Sequence, residues 1–144
     1  MPTLVEIVDY DQCWPAHFEQ AARKLGALLG ELALSIDHVG STAVAGLAAK
    51  PLIDIDVTMS SPASIGMACE ILVSAGYEPR GARHDDGVTA FLLRGAPGER
   101  VYLCPPGSKT HTDRLTFRDR LRHDPSIALA YGLLKKGTCI PVSA

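Results

Sequence analysis

A chain of 144 residues suits one compact domain and leaves no room for two ordinary ones. Its 47% apolar content supports a real core and argues against wholesale disorder. A net charge of -2 supplies no global field to draw the chain onto nucleic acid or an anionic membrane, so any phosphate must be held by local clusters of Lys and Arg.

The start, Met1-Pro2-Thr3-Leu4-Val5-Glu6, lacks a basic segment followed by an apolar one. No uncharged apolar run approaches the roughly 18 residues needed to span a bilayer. The expectation is a cytoplasmic protein with no membrane partner. Cys13, Cys69, Cys104 and Cys139 stand far apart, and the five His are scattered too. That spacing predicts four reduced thiols and no zinc site.

In chain order, residues 5–8 read as a short strand or extended lead-in. Trp14-Pro15 opens a helix, with Phe18, Ala22, Leu25 and Leu29 at helical spacing. Residues 34–39 read as a strand. Residues 52–59 alternate Ile53, Ile55 and Val57 with Asp54, Asp56 and Thr58, a strand with one apolar and one acidic face. Ser61-Pro62 starts a second helix with Ile65, Ala68, Leu72 and Ala75 as its apolar stripe, closed by Gly76. A meander follows over 77–83, 88–94 and 100–104, with Asp86-Gly87 as its hairpin signal. Two helices, about 113–122 and 125–136, end the chain, the second capped by Asp124-Pro125. Ile127, Ala130 and Leu134 would face the core from it. The order predicts an α/β (α+β) fold, a mixed β-sheet with helices packed on it, not a regular βαβ repeat.

The chemistry concentrates in His38-Val39-Gly40-Ser41, twelve residues, then Asp54-Ile55-Asp56. A strand ending in Gly40-Ser41 lets backbone amides approach an anion closely. If residues 41–49 begin a short helix, its N-terminus adds a favourable dipole for phosphate. Asp54 and Asp56 share one strand face with Cα atoms roughly 6–7 Å apart. Two carboxylates so placed can hold Mg²⁺ or Mn²⁺ against phosphates. Lys50 could neutralise a phosphate charge. Arg114, Arg118 and Arg122 recur every four residues and form a stripe on one helix face. That stripe either clamps a phosphate chain or is a solvated face paired with Asp113 and Asp119. His38 is either a ligand-binding or acid/base group or a structural histidine.

The Gly-Ser and Asp-x-Asp pieces at this spacing resemble the signature of the DNA polymerase β-like nucleotidyltransferase superfamily. More narrowly, the segment from His38-Val39-Gly40-Ser41-Thr42 through Lys50-Pro51-Leu52-Ile53-Asp54-Ile55 is similar to the hallmark of the GrpB family of predicted nucleotidyltransferases. Asp9-Tyr10-Asp11, Trp14-Pro15 and Phe117-Arg118-Asp119 extend the likeness over nearly the whole chain, one domain over 1–144 with a short atypical tail at 137–144. Ala45 stands where the family usually has proline, and Arg100 and Tyr102 where it usually carries histidines. Active enzymes of this fold bring a third carboxylate from a neighbouring strand, where this chain presents Tyr102.

The resemblance implies a metal-dependent transfer of a nucleotidyl group from an NTP to a small acceptor. Asp54 and Asp56 would hold the Mg²⁺ or Mn²⁺ ion, and Asp54, Asp56 and Ser41 would carry the catalysis. His38, Gly40, Ser41, Thr42, Lys50, Tyr102 and Arg118 would bind the substrate and its phosphates. The alternative is a non-catalytic module that binds a nucleotide or a CoA-like phosphate on the same surface. A homodimer built on the last helix is a further expectation, with extended packing of Ile140 and Val142 as its rival.

Overall fold

Trp14-Pro15 starts α1, which runs Trp14–Leu29 and buries Trp14, Ala21, Leu25 and Leu29 in the computed structural model. This structure describes residues 7–82 and 86–131. The remaining elements are β1 (Ala33–Val39), β2 (Leu52–Met59), α2 (Ser64–Ser74), β3 (Glu78–Ala82), β4 (Thr89–Leu93), β5 (Gly98–Cys104) and α3 (Lys109–His123). Residues 125–131 are helical as well, and Asp124 caps them by accepting from the amides of Ser126 and Ile127. Among the described residues no helix is long and apolar enough to cross a membrane.

The sheet order is β1-β2-β5-β4-β3. Only β2 and β5 pair in parallel, so the sheet is mixed. The alternation in β2 sorts its side chains. Ile53, Ile55, Val57 and Met59 join one core with Leu25, Leu29, Ala68, Leu72, Phe91, Val101 and Leu103. Each aliphatic side chain so buried contributes roughly 1.5–3 kcal/mol. Asp54, Asp56 and Thr58 project from the other face of the strand.

Residues 41–49 do not form the short helix that would have added a dipole. Ser41–Ala43 makes a single 3-10 turn, after which Val44 is extended. Ala45 and Gly46 then carry the chain round, Gly46 at φ 81°. With one short turn, no helix dipole points at the site.

The last helical segment is rotated from the expected face. Ala128 and Tyr131 pack on Val44, Leu47 and Leu121, while Ile127 is exposed. Tyr131 also meets Phe117 edge-on at 5.3 Å between ring centroids, which fixes that rotation. Leu134 and the tail at 137–144 lie outside the described residues, as do residues 5 and 6 of the lead-in, though Val8 bridges Ala49.

The β3–β4 turn anchors α3. Ser108 accepts from the His111 amide at 3.2 Å and donates to Asp86 Oδ2 at 2.6 Å, and the same oxygen accepts from the Thr110 amide. The Ser108 hydrogen bond leads these in holding the Asp86 carboxyl down at about 2, from 3.8. A carboxyl depressed in the native state stabilises fully above its ordinary value and loses that effect as pH falls toward 2. Asp86→Ala should therefore cost about 1–2 kcal/mol at neutral pH, by loss of a helix anchor. The deficit should shrink in acid, measured by urea melts from pH 7 to 3. A deficit independent of pH would show that the turn, not the charge, is responsible.

Candidate functional site

Strand register decides what surrounds the two carboxylates. Asp56 lies between Asp37 of β1 and Tyr102 of β5, and Asp54 between Val39 and Arg100. Directly opposed residues share a sheet face, so this face carries Asp37, Asp54, Asp56, Arg100 and Tyr102. Helix α3 lies over it.

Asp56 is completely buried. Arg114 Nη1 donates to its Oδ1 at 2.6 Å, and His111 Nδ1 donates to its Oδ2 at 2.9 Å. The other ring nitrogen of His111 lies 3.5 Å from Asp37 Oδ2. The Arg114 guanidinium also covers the Tyr102 ring, 3.9 Å from its centroid. Charge, hydrogen bonds and stacking thus converge on Asp56 from α3 and β5.

Asp54 sits differently. Its Oδ1 is buried with no hydrogen-bond partner among the described residues, and Arg100 Nη1 stands 3.8 Å away. Burial pushes its carboxyl up to about 6, against the pull of Arg100 and Arg114 and with a further push from Asp56. Its Oδ2 occupies the space above Gly40, where a Cβ would lie only 2.5 Å away. Asp54 therefore offers one free oxygen to a cation, whereas both oxygens of Asp56 are taken. An all-oxygen, two-ion magnesium site does not fit the pair as it stands.

The other expected site residues divide. Gly40 lies against Asp54, Ser41 follows it as the first residue of the 3-10 turn, and Lys50 is exposed and adds to the positive field at Asp54. Tyr102 lies under Arg114. His38 is opposite Ile55 in the register and so faces α1, away from the carboxylates. It stacks on Phe18 at 4.7 Å and bonds Thr42 Oγ1 through Nε2 at 2.9 Å. Burial, helped by Arg122 and Arg118, lowers its pKa to about 4, so it is neutral at neutral pH. Thr42 is buried in the same bond.

The arginine stripe of α3 is a set of clamps on the protein itself. Arg114 holds Asp56, Arg118 Nη1 donates to the His38 carbonyl at 3.2 Å, and Arg122 Nε donates to the Ala43 carbonyl at 2.8 Å. Arg118 also pairs with Asp119.

Sequence reasoning missed Asp37 and His111, and it treated Cys104 and the histidines as scattered. The fold gathers Asp56, Cys104 and His111 so that an oxygen, a sulfur and a nitrogen lie within 4.8 Å of one another, a set able to hold a metal ion. Mixed O, S and N donors suit zinc better than magnesium. Burial and Asp56 push the Cys104 thiol far up. One available signal was that His111 precedes Arg114 by three residues and so shares its helix face. Only the register could reveal Asp37.

The comparisons concern the family and the fold. The sequence profile described as GrpB protein matches residues 4–140. The UPF0157 protein YqkA of Bacillus subtilis is 32% identical over 92% of this chain, which spans only 39% of that relative's length. A dephospho-CoA kinase of Mycolicibacterium paratuberculosis is 42% identical over 51% of this chain and 19% of its own. The crystal structure of the conserved protein GrpB from Enterococcus faecalis superposes with a TM-score of 0.85 at 30% identity, covering 92% of this chain and 82% of that one. The Cid1 poly(U) polymerase, solved with MgGTP bound, superposes with a TM-score of 0.63 at 16% identity, covering 90% of this chain and 43% of that one. This last likeness is one of fold and establishes a nucleotidyltransferase-type scaffold. From its profile, its relatives and its architecture, the chain belongs to the GrpB family.

Proposed function

We propose that this chain binds the phosphates of a nucleotide, or of a CoA-like compound, with its own cations rather than through a magnesium pair. The observation that carries this is the state of Asp56, buried with both oxygens held by Arg114 and His111. Arg114 and His111 take up both of the oxygens through which Asp56 would otherwise hold a metal ion. Arg100 and Lys50 supply further positive charge beside Asp54. The nucleotidyltransferase-type scaffold and the partial likeness to dephospho-CoA kinases support a ligand of this class.

A metal-dependent nucleotidyl transfer is the second reading, favoured by the unpartnered Asp54 Oδ1 and by Asp37 as a neighbouring carboxylate. There Asp54 would hold the ion, together with Asp56 if Arg114 withdrew.

Calorimetry with ATP separates the two. Affinity in EDTA should equal that in Mg²⁺, and Arg100→Gln should weaken it about tenfold through loss of one charge-assisted contact. Asp54→Asn is the sharpest discriminator. It removes a negative charge beside the phosphates, so it should tighten binding in this reading and abolish the magnesium-dependent part in the other. Release of pyrophosphate that needs Mg²⁺ and Asp54 would replace the binding reading with the enzymatic one.

A further inference from the structure

On the same sheet face as the carboxylates, an open groove of about 800 Å³ runs from Arg100 and Arg114 to Arg80 and Arg94. Its middle is formed by Ala90 and Leu92 of β4. We infer that this groove takes the phosphodiester backbone of a short single-stranded oligonucleotide, whose end enters the Arg100–Arg114 cation site. This extends the phosphate-binding reading above and rests on it.

Charge makes the first part of the case. At the far end two guanidiniums share a single carboxylate, since Arg94 Nε lies 3.1 Å and Arg80 Nη2 3.6 Å from the same Glu78 oxygen. At the near end Arg100 and Arg114 stand beside Asp54 and Asp56, so four arginines line the groove against three neighbouring carboxylates, none of which lines it. The groove is therefore net positive on a chain whose net charge is -2. Such a local field selects an anion that fits the groove and gives no general adhesion to nucleic acid.

Spacing makes the second part. Arg80 stands on β3 and Arg100 on β5, with β4 between them. Two inter-strand spacings amount to roughly 10 Å. Cations that far apart call for anionic groups strung along a chain, not for one compact phosphate. The third part is chemical. Ala90 and Leu92 offer no side-chain donors or acceptors, so the groove floor can pass a backbone without reading bases. Arg94 and Arg80 remain accessible, with side chains 73% and 40% exposed.

The test is fluorescence anisotropy with a labelled mixed-sequence single strand of about eight nucleotides. Calorimetry with ATP is run on the same samples. The double variant Arg80→Gln/Arg94→Gln should weaken strand binding at least tenfold. It should also reduce the slope of log affinity against log salt by about 1.4, two contacts at roughly 0.7 each. ATP affinity should stay unchanged, and Glu78→Gln should tighten the strand. No strand binding by the wild-type chain overturns the inference. So does an equal loss of strand and ATP affinity in the double variant, which would make the groove part of a mononucleotide site. If ATP fails to bind while the strand shows both expected changes, the nucleotide reading falls and the groove stands.

Discussion

Asp54→Asn and Asp56→Asn should move the stability of this protein in opposite directions at neutral pH. Asp56 is the buried anion against which Arg114 and His111 are held. Removing its charge leaves a half-buried guanidinium without its counter-ion, and breaking a fully buried pair costs about 3–5 kcal/mol, an upper bound here. Asparagine keeps one acceptor oxygen, so a loss of about 3 kcal/mol is expected.

For Asp54 the sign reverses. Its carboxyl is raised to about 6 from 3.8, so the folded state prefers the neutral form. That preference stabilises fully below the ordinary carboxylate range and is lost as pH rises through about 6. Above that pH the wild-type protein bears the cost of a buried charge, and asparagine removes it. The expected gain at pH 8 is on the order of 1–2 kcal/mol, discounted because the side chain retains contact with water. Urea melts at pH 4 and pH 8 check both effects. If Asp54→Asn destabilises at pH 8, the carboxylate is a structural partner of Arg100 and the burial argument fails.

Gly40→Ala should cost about 3–5 kcal/mol, from two independent causes. The backbone at Gly40 stands at φ 74°, ψ -173°, a region essentially closed to residues with a side chain. An added Cβ would also meet Asp54 Oδ2 at 2.5 Å and its Cβ at 3.1 Å. The causes can be separated. Asp54→Gly in the Gly40→Ala background should recover the steric part and leave the backbone part. The resulting coupling energy should be about 1–2 kcal/mol. Strict additivity in that cycle would mean the carboxylate simply swings aside. On this account Gly40 makes room for Asp54, whose carboxylate fills the space above it.

The strands and helices were largely legible because their signals are local. The alternation of β2 and the stripe of α1 each follow from one segment and one period. The acidic face of β2 was equally plain. What surrounds that face was not, since it depends on which strands become neighbours. Asp37 matters only because β1 pairs with β2 so that it stands opposite Asp56. Arg114 was visible as part of a four-residue repeat, but its target lies on another element. The short helix considered for 41–49 is absent, because the turn at Ser41–Ala43 gives way to extended backbone at Val44. His38, for which a ligand-binding and a structural role were both open, stands on the sheet face opposite to that of Asp54. Period two sends neighbours to opposite faces, and His38 pairs with Ile55, not with Asp54.

The parallel pairing of β2 with β5 also bears on how the protein folds. The segments β3, β4 and β5 form neighbouring antiparallel pairs through short connections and can collapse early. Asp56 and Tyr102, although adjacent in the sheet, are far apart along the chain and meet only when the β2–β5 register closes. Closing such a loop requires a loss of chain entropy before any contact compensates it. Helix α3 follows β5, and its Arg114 needs Asp56 already in position. This topology leads us to expect the carboxylate site to assemble late in folding. On that order Asp56 and Arg114 would be buried together, so neither charge would lose its water before the pair forms.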